Sequence, residues 1–202
     1  MAHALHITAI EAAVIHSFRG VFSMCRHLPD ISPAITGSVV GDDQQFWAQA
    51  PADDLIQHIL TRYHQRHREQ LPELIRLARR VEQVHGDHAE CPNGLTDHLS
   101  DIHQALESHM AKEEQILFPM LLRGEHSLSR GPISVMRFEH GQHDQALDQL
   151  YALTNDITVP PHACNTWQTL YRGLDEFCRD LTQHIQLENE VLFVGPAAGK
   201  AL

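Results

Sequence analysis

Four stretches of the chain repeat core-type positions at alternating steps of three and four residues. The first carries Leu60, His64, His67, Leu71, Leu74, Ala78, Val81 and His85 on one stripe. The second runs Leu95, Leu99, Ile102, Leu106, His109, Glu113 and Ile116, and the third Ile133, Met136, His140, His143, Leu147 and Leu150. The fourth holds Trp167, Leu170, Leu174, Phe177, Leu181, His184, Glu188 and Val191. This spacing is the core-facing seam of an amphipathic helix, and no segment sustains the period-two alternation of a strand. Turn-forming clusters at Gly86 to Gly94, Arg123 to Pro132 and Asn155 to Pro161 separate the four blocks. Pro51 followed by Asp53 and Asp54 predicts a helix start, and Pro72 predicts a kink or bend within the first block. The expectation is an all-α chain, an up-down-up-down four-helix bundle over residues 46–196. Turn residues from Pro29 to Asp43 set apart a small helical N-terminal segment over 1–45.

Histidine and glutamate interrupt these stripes where a bundle buries its interior. Two helices do so in the same form, His109-x-x-x-Glu113 and His184-x-x-x-Glu188. Spacing of i,i+4 sets both side chains on one face, a turn apart. A carboxylate buried without a partner costs several kcal/mol, so a counter-charge is expected beside each. Imidazole nitrogen with carboxylates able to bridge two cations is the ligand set of a dinuclear iron or manganese site in a bundle core. The third helix offers His140 and the first His64, one set per helix.

Levels along the helices sort the remaining candidates. His64 and His85 are 21 residues apart, about 31 Å along a continuous helix. Counted from the loop at 86–95, His64 and His67 match the level of Glu113 to about one turn, whereas His85 lies at the helix end. A cation beside the C-terminal dipole accounts for His85 there. For His67 and His143, each three residues from a favoured ligand, orienting a ligand is the first reading and direct ligation the second. Glu114 is expected off the seam as a solvated charge and His103 exposed, with Trp167 and Phe177 in the core. His58, His88, His98, His126 and His162 follow no stripe.

Composition supports this chemistry. Histidine accounts for 17 of 202 residues, and 26 acids against 15 bases give a net charge of −11. That balance suits cations and argues against nucleic acid, which rewards clustered Lys and Arg. No apolar run approaches the ~18 residues of a membrane span, and the first residues carry no secretory pattern. The four cysteines, Cys25, Cys91, Cys164 and Cys178, form no C-x-x-C, so reduced thiols in the cytoplasm are expected, with Cys178 as a buried small hydrophobe.

The stretches YHQRHREQLPEL from Tyr63, SHMAKEEQILFPM from Ser108, GPISVM from Gly131 with Glu139-His140, and HIQLENEVLF from His184 resemble one known group. They are similar to the hemerythrin-like cation-binding proteins, specifically the repair-of-iron-centres proteins. The resemblance runs in order from about residue 46 to 194. It implies two iron ions in a non-haem, oxo- and carboxylate-bridged centre. His64, His109, His140 and His184 would be terminal ligands, with Glu113 and Glu188 as bridges. It further implies a role in nitrosative and oxidative stress: binding or reducing nitric oxide and helping to restore damaged iron–sulfur clusters, with those proteins and a reductase as partners. Turnover would make it an enzyme of the NO reductase type; a carrier or sensor binding O2 or NO reversibly is the alternative, and an iron store or a structural bundle the third reading. Such proteins commonly carry an adjacent Cys-Cys pair near the N-terminus, where this chain has only Cys25, in SMCRH. Val194 stands where the earlier repeat has Pro119.

Overall fold

A computed structural model describes residues 45–194. The segment expected over 1–45 lies outside them, apart from Gln45. The described residues are helical and loop, with no strand among them. Four long helices account for most of the chain. α1 covers 52–85, α2 covers 95–122, α3 is His126–Leu153 and α4 covers 165–192. α1 packs on α2 and α4, α2 on α3, and α3 on α4.

Local chemistry sets the ends. Asp53 and Asp54 occupy the first turn of α1, beside the positive end of its dipole. Gly94, at φ 91°, occupies a left-handed position open to glycine just before α2. The Glu82 carboxylate of α1 then accepts from the Thr96 backbone N–H at 3.0 Å, tying the start of α2 to the end of α1. Pro72 is exposed and α1 runs through it unbroken from Gln65 to His85.

Two expectations need correction. The connection placed at Arg123 to Pro132 is shorter, because α3 starts at His126 and Pro132 lies inside it. The missing Pro132 N–H would have served the carbonyl of Leu128, an exposed position, so the cost of leaving it to solvent is small. Ile116, expected on the seam, is 52% exposed, while Leu117 is buried. The cause is a π-helical turn over Glu113–Leu117, in which the Phe118 N–H bonds back five residues to the Glu113 carbonyl. One extra residue per turn shifts the inward face from Ile116 to Leu117 and Leu121.

The same device recurs on two more helices. α1 contains a π turn at Leu60–His64, and α4 ends in one at Glu188–Leu192. In α1 the inward position passes accordingly from the half-buried Leu60 to the fully buried Ile59.

Two apolar clusters fill the interior. One gathers Leu71 and Leu74 of α1, Leu99 and Leu106 of α2, Leu147 of α3, and Trp167, Leu174 and Phe177 of α4. The other gathers Ile59 and Tyr63, Leu117 and Leu121, Met136, and Leu187 and Leu192. On all four helices the change from one cluster to the other falls at the histidines and glutamates of the stripes.

Candidate metal centre

The structure brings together all six residues singled out from the stripes. Ligand atoms of His64, Glu113, His184 and Glu188 lie within 4.8 Å of one another, as do those of His109, Glu113, His140 and Glu188. Both groups are buried and share the two carboxylates. Glu113 presents Oε2 to His64 Nε2 and Oε1 to His109 Nε2, each at 3.4 Å. Glu188 presents Oε1 to His184 Nε2 and Oε2 to His140 Nε2, each at 3.1 Å. Each carboxylate thus offers one oxygen to each group, the disposition of a bridge between two cations.

The outer faces of the imidazoles decide which nitrogen points inward. His64 Nδ1 donates to Glu114 at 2.8 Å, and Arg68 holds Glu114 from the other side at 2.8 Å. His109 Nδ1 donates to Glu139 at 3.0 Å, and Lys112 pairs with the same carboxylate. His140 Nδ1 donates to Asn189 Oδ1 at 3.1 Å. A carboxylate or amide oxygen only accepts, so Nδ1 of each of these three rings carries a proton, which leaves Nε2 as the nitrogen free to ligate once the ring is neutral. The inward nitrogens converge: His64 Nε2 is 3.2 Å from His184 Nε2, and His140 Nε2 is 3.1 Å from His109 Nε2.

Such a centre calls for positive charge. Neither oxygen of Glu113 has a hydrogen-bond partner although the residue has no exposure. Without a cation, protons take part of that role. Burial pushes His109 down, but the Glu113 carboxylate 3.4 Å away, the Glu188 charge and its bond to Glu139 raise it to about 9. His64 is likewise raised against its burial, chiefly by Glu113 and Glu188. Burial would raise the Glu188 carboxyl, yet His184 and His140 hold it well below the usual range. The donor set, all imidazole and carboxylate, fits two divalent or trivalent cations of the borderline kind.

His67 and His143 flank the centre without joining either group. His67 is fully buried with both ring nitrogens unpartnered, 5.4 Å from the His184 ring between centroids. His143 stands 5.0 Å from the His109 ring. Burial and neighbouring imidazoles push their pKa values down to about 2 and about 3. His85 lies at the far end of α1, where its Nε2 meets Cys164 Sγ at 3.2 Å. A cleft of about 290 Å³ between α2 and α3 is lined by Lys112, Glu139 and His143, and so reaches side chains that touch His109.

Three residues of this site escape a reading of the stripes. Glu114 is not a solvated charge: it is half-buried and orients His64. Glu139 and Asn189 do the same for His109 and His140. The available signal was chemical, because each inward imidazole needs an outward acceptor, and acids or amides beside Glu113, His140 and Glu188 supply it.

Residues 55–194 match the hemerythrin HHE cation-binding domain family. The chain is 51% identical over 154 residues to the iron–sulfur cluster repair protein YtfE of Escherichia coli O1:K1, covering 76% of this chain and 70% of that protein. The protein of the same name from Escherichia fergusonii matches with the same identity and coverage.

Proposed function

Because the chain belongs to the hemerythrin HHE cation-binding family, we propose that it is a di-iron protein that binds nitric oxide and supports the repair of damaged iron–sulfur clusters. The observation that carries this reading is the pair of four-residue groups sharing Glu113 and Glu188. His64 and His184 would hold one iron, His109 and His140 the other, with both glutamates and an oxo group as bridges. The relatives' name, iron–sulfur cluster repair protein, supports the physiological role. The cyclic packing of α1 to α4 through short connections supports an up-down-up-down four-helix bundle as the frame. No helix among the described residues is long and apolar enough to cross a membrane, and Cys91, Cys164 and Cys178 are in no disulfide, which favours the reducing cytoplasm.

Two bound ferrous ions would supply redox chemistry and positions for a diatomic ligand. The protein's part is to hold, orient and shield. Glu113 and Glu188 fix the spacing, while Glu114, Glu139 and Asn189 aim the imidazoles inward. The cleft between α2 and α3, lined by Lys112, Glu139 and His143, would be the side from which a small molecule approaches, and a reductase would supply electrons.

Metal analysis of the purified protein is the first test: two irons per chain are expected. The iron-loaded protein is then mixed with an iron–sulfur enzyme inactivated by nitric oxide. Recovery of that enzyme's activity, absent with the Glu113→Leu variant, supports repair; equal recovery with both proteins overturns it. Exposure of the reduced protein to nitric oxide separates the two modes, since N2O measured by gas chromatography marks turnover and uptake without N2O marks a carrier.

A further inference from the structure

The four inward imidazoles are not held alike. Glu114, Glu139 and Asn189 accept from Nδ1 of His64, His109 and His140. Nδ1 of His184 is buried and has no partner. Its ring instead lies flat against Tyr63, with centroids 5.2 Å apart and planes 6° apart. A stacked ring fixes the plane of an imidazole but accepts no proton from it, so it does not raise the donor strength of Nε2 as an acceptor on Nδ1 does.

From this we infer that the two metal positions are unequal, and that the position of His64 and His184, between α1 and α4, is the exchangeable one. The inference rests on the di-iron reading. Glu113 and Glu188 give one oxygen to each side, so the bridges contribute equally. Each side also has one imidazole backed by a carboxylate, Glu114 for His64 and Glu139 for His109. The difference is confined to the remaining pair, in which His140 is backed by an amide and His184 by nothing. Loss of such an outer partner costs about 10- to 100-fold in metal affinity in comparable sites. The α2–α3 position therefore anchors the centre while the α1–α4 position gives up its metal first. For a protein that supports cluster repair, this is the iron available for transfer, released while the second keeps the bundle's buried carboxylates compensated.

The iron-loaded full-length protein is challenged with excess ferrous chelator and release is followed by absorbance. Two phases of one iron per chain each are expected, their rates differing by about tenfold or more. Glu114→Gln accelerates the fast phase alone. Asn189→Leu, which leaves His140 as unbacked as His184, draws the slow phase toward the fast one. Asn189→Asp, which keeps an acceptor and adds charge, slows it further and serves if the leucine variant does not fold. Two irons released in a single phase, or an Asn189 variant that moves only the fast phase, overturns the inequality and leaves the di-iron reading standing. A starting content of one iron per chain overturns both.

Discussion

The interior on the side of the 86–94 connection and the layer at the histidines obey different rules. In the first, Leu71, Leu99, Leu106, Leu174 and Phe177 pack on unbroken α-helix. At the second, three helices widen into π turns, and His64, His109, Glu113, His140, His184 and Glu188 are buried side by side. Burial of apolar side chains stabilises directly, at ~25 cal/mol per Å². Buried charge without compensation does the opposite. The comparison teaches a division of labour: one region supplies the stability that lets the other hold buried, charged groups ready for a cation.

The sharpest way to break this division is to remove a bridge. Glu113→Leu takes away an oxygen from each metal group at once, so iron content should fall from two per chain to near none, while circular dichroism stays helical. Iron retained at two per chain would show that the shared carboxylate is not what holds the layer. The reciprocal change lies in the apolar region. Leu174 has no exposure, and Leu174→Ala should cost about 2–5 kcal/mol in denaturant unfolding. Iron content at permissive temperature should remain unchanged; a loss of iron would mean the two regions are coupled more tightly than their chemistry suggests.

The π turns test what the sequence can and cannot convey. The stripes bring all six candidate residues to one level because hydrophobic period and helix geometry agree over most of each block. Ile116 fails because a π turn inserts one residue without any residue type that announces it. The neighbouring Leu117 is equally apolar, so the pattern reads well in either register. Glu114 fails for another reason: a glutamate off the seam looks solvated until Arg68 and His64 are seen to converge on it. Pro132 misleads because proline is a fair sign of a helix boundary only where its lost hydrogen bond is costly. Deleting Ile116 should return α2 to regular helix, with Leu117 and Leu121 still facing inward. Metal-free stability should change by no more than about 1 kcal/mol, while iron affinity drops about tenfold or more as the Glu113 carboxylate is re-aimed. Unchanged affinity would make the π turn incidental to the centre.

Acid exposes the same contrast in the metal-free protein. His67 and His143 are held neutral in the fold, with values lowered by burial to about 2 and about 3. In the unfolded chain they take protons near pH 6.5. Their contribution is complete above about pH 6.5 and is lost as pH falls toward those folded values, by about 1.4 kcal/mol per pH unit for each. His109, raised to about 9, has the opposite sign: its contribution is complete below about pH 6.5 and is lost as pH rises through 9. Thermal melts of metal-free protein between pH 6.5 and 5 should therefore fall, and fall less steeply in His67→Leu. Parallel slopes for the two proteins would exclude His67 as the source.

The smallest effect belongs to a histidine of the first stripe that the layer does not use. His85 continues the spacing of His64 and His67, yet its ring stands beside Trp167, 5.2 Å between centroids, at the apolar end of the interior. Distance along α1, rather than residue type, separates it from the centre. His85→Leu should leave iron at two per chain and the chelator-release phases unchanged. The expected cost is about 1 kcal/mol or less, that of one modest hydrogen bond to Cys164. If this variant emptied either metal position, helix level would not be what selects the ligands, and the separation between the two regions would fail where it is easiest to satisfy.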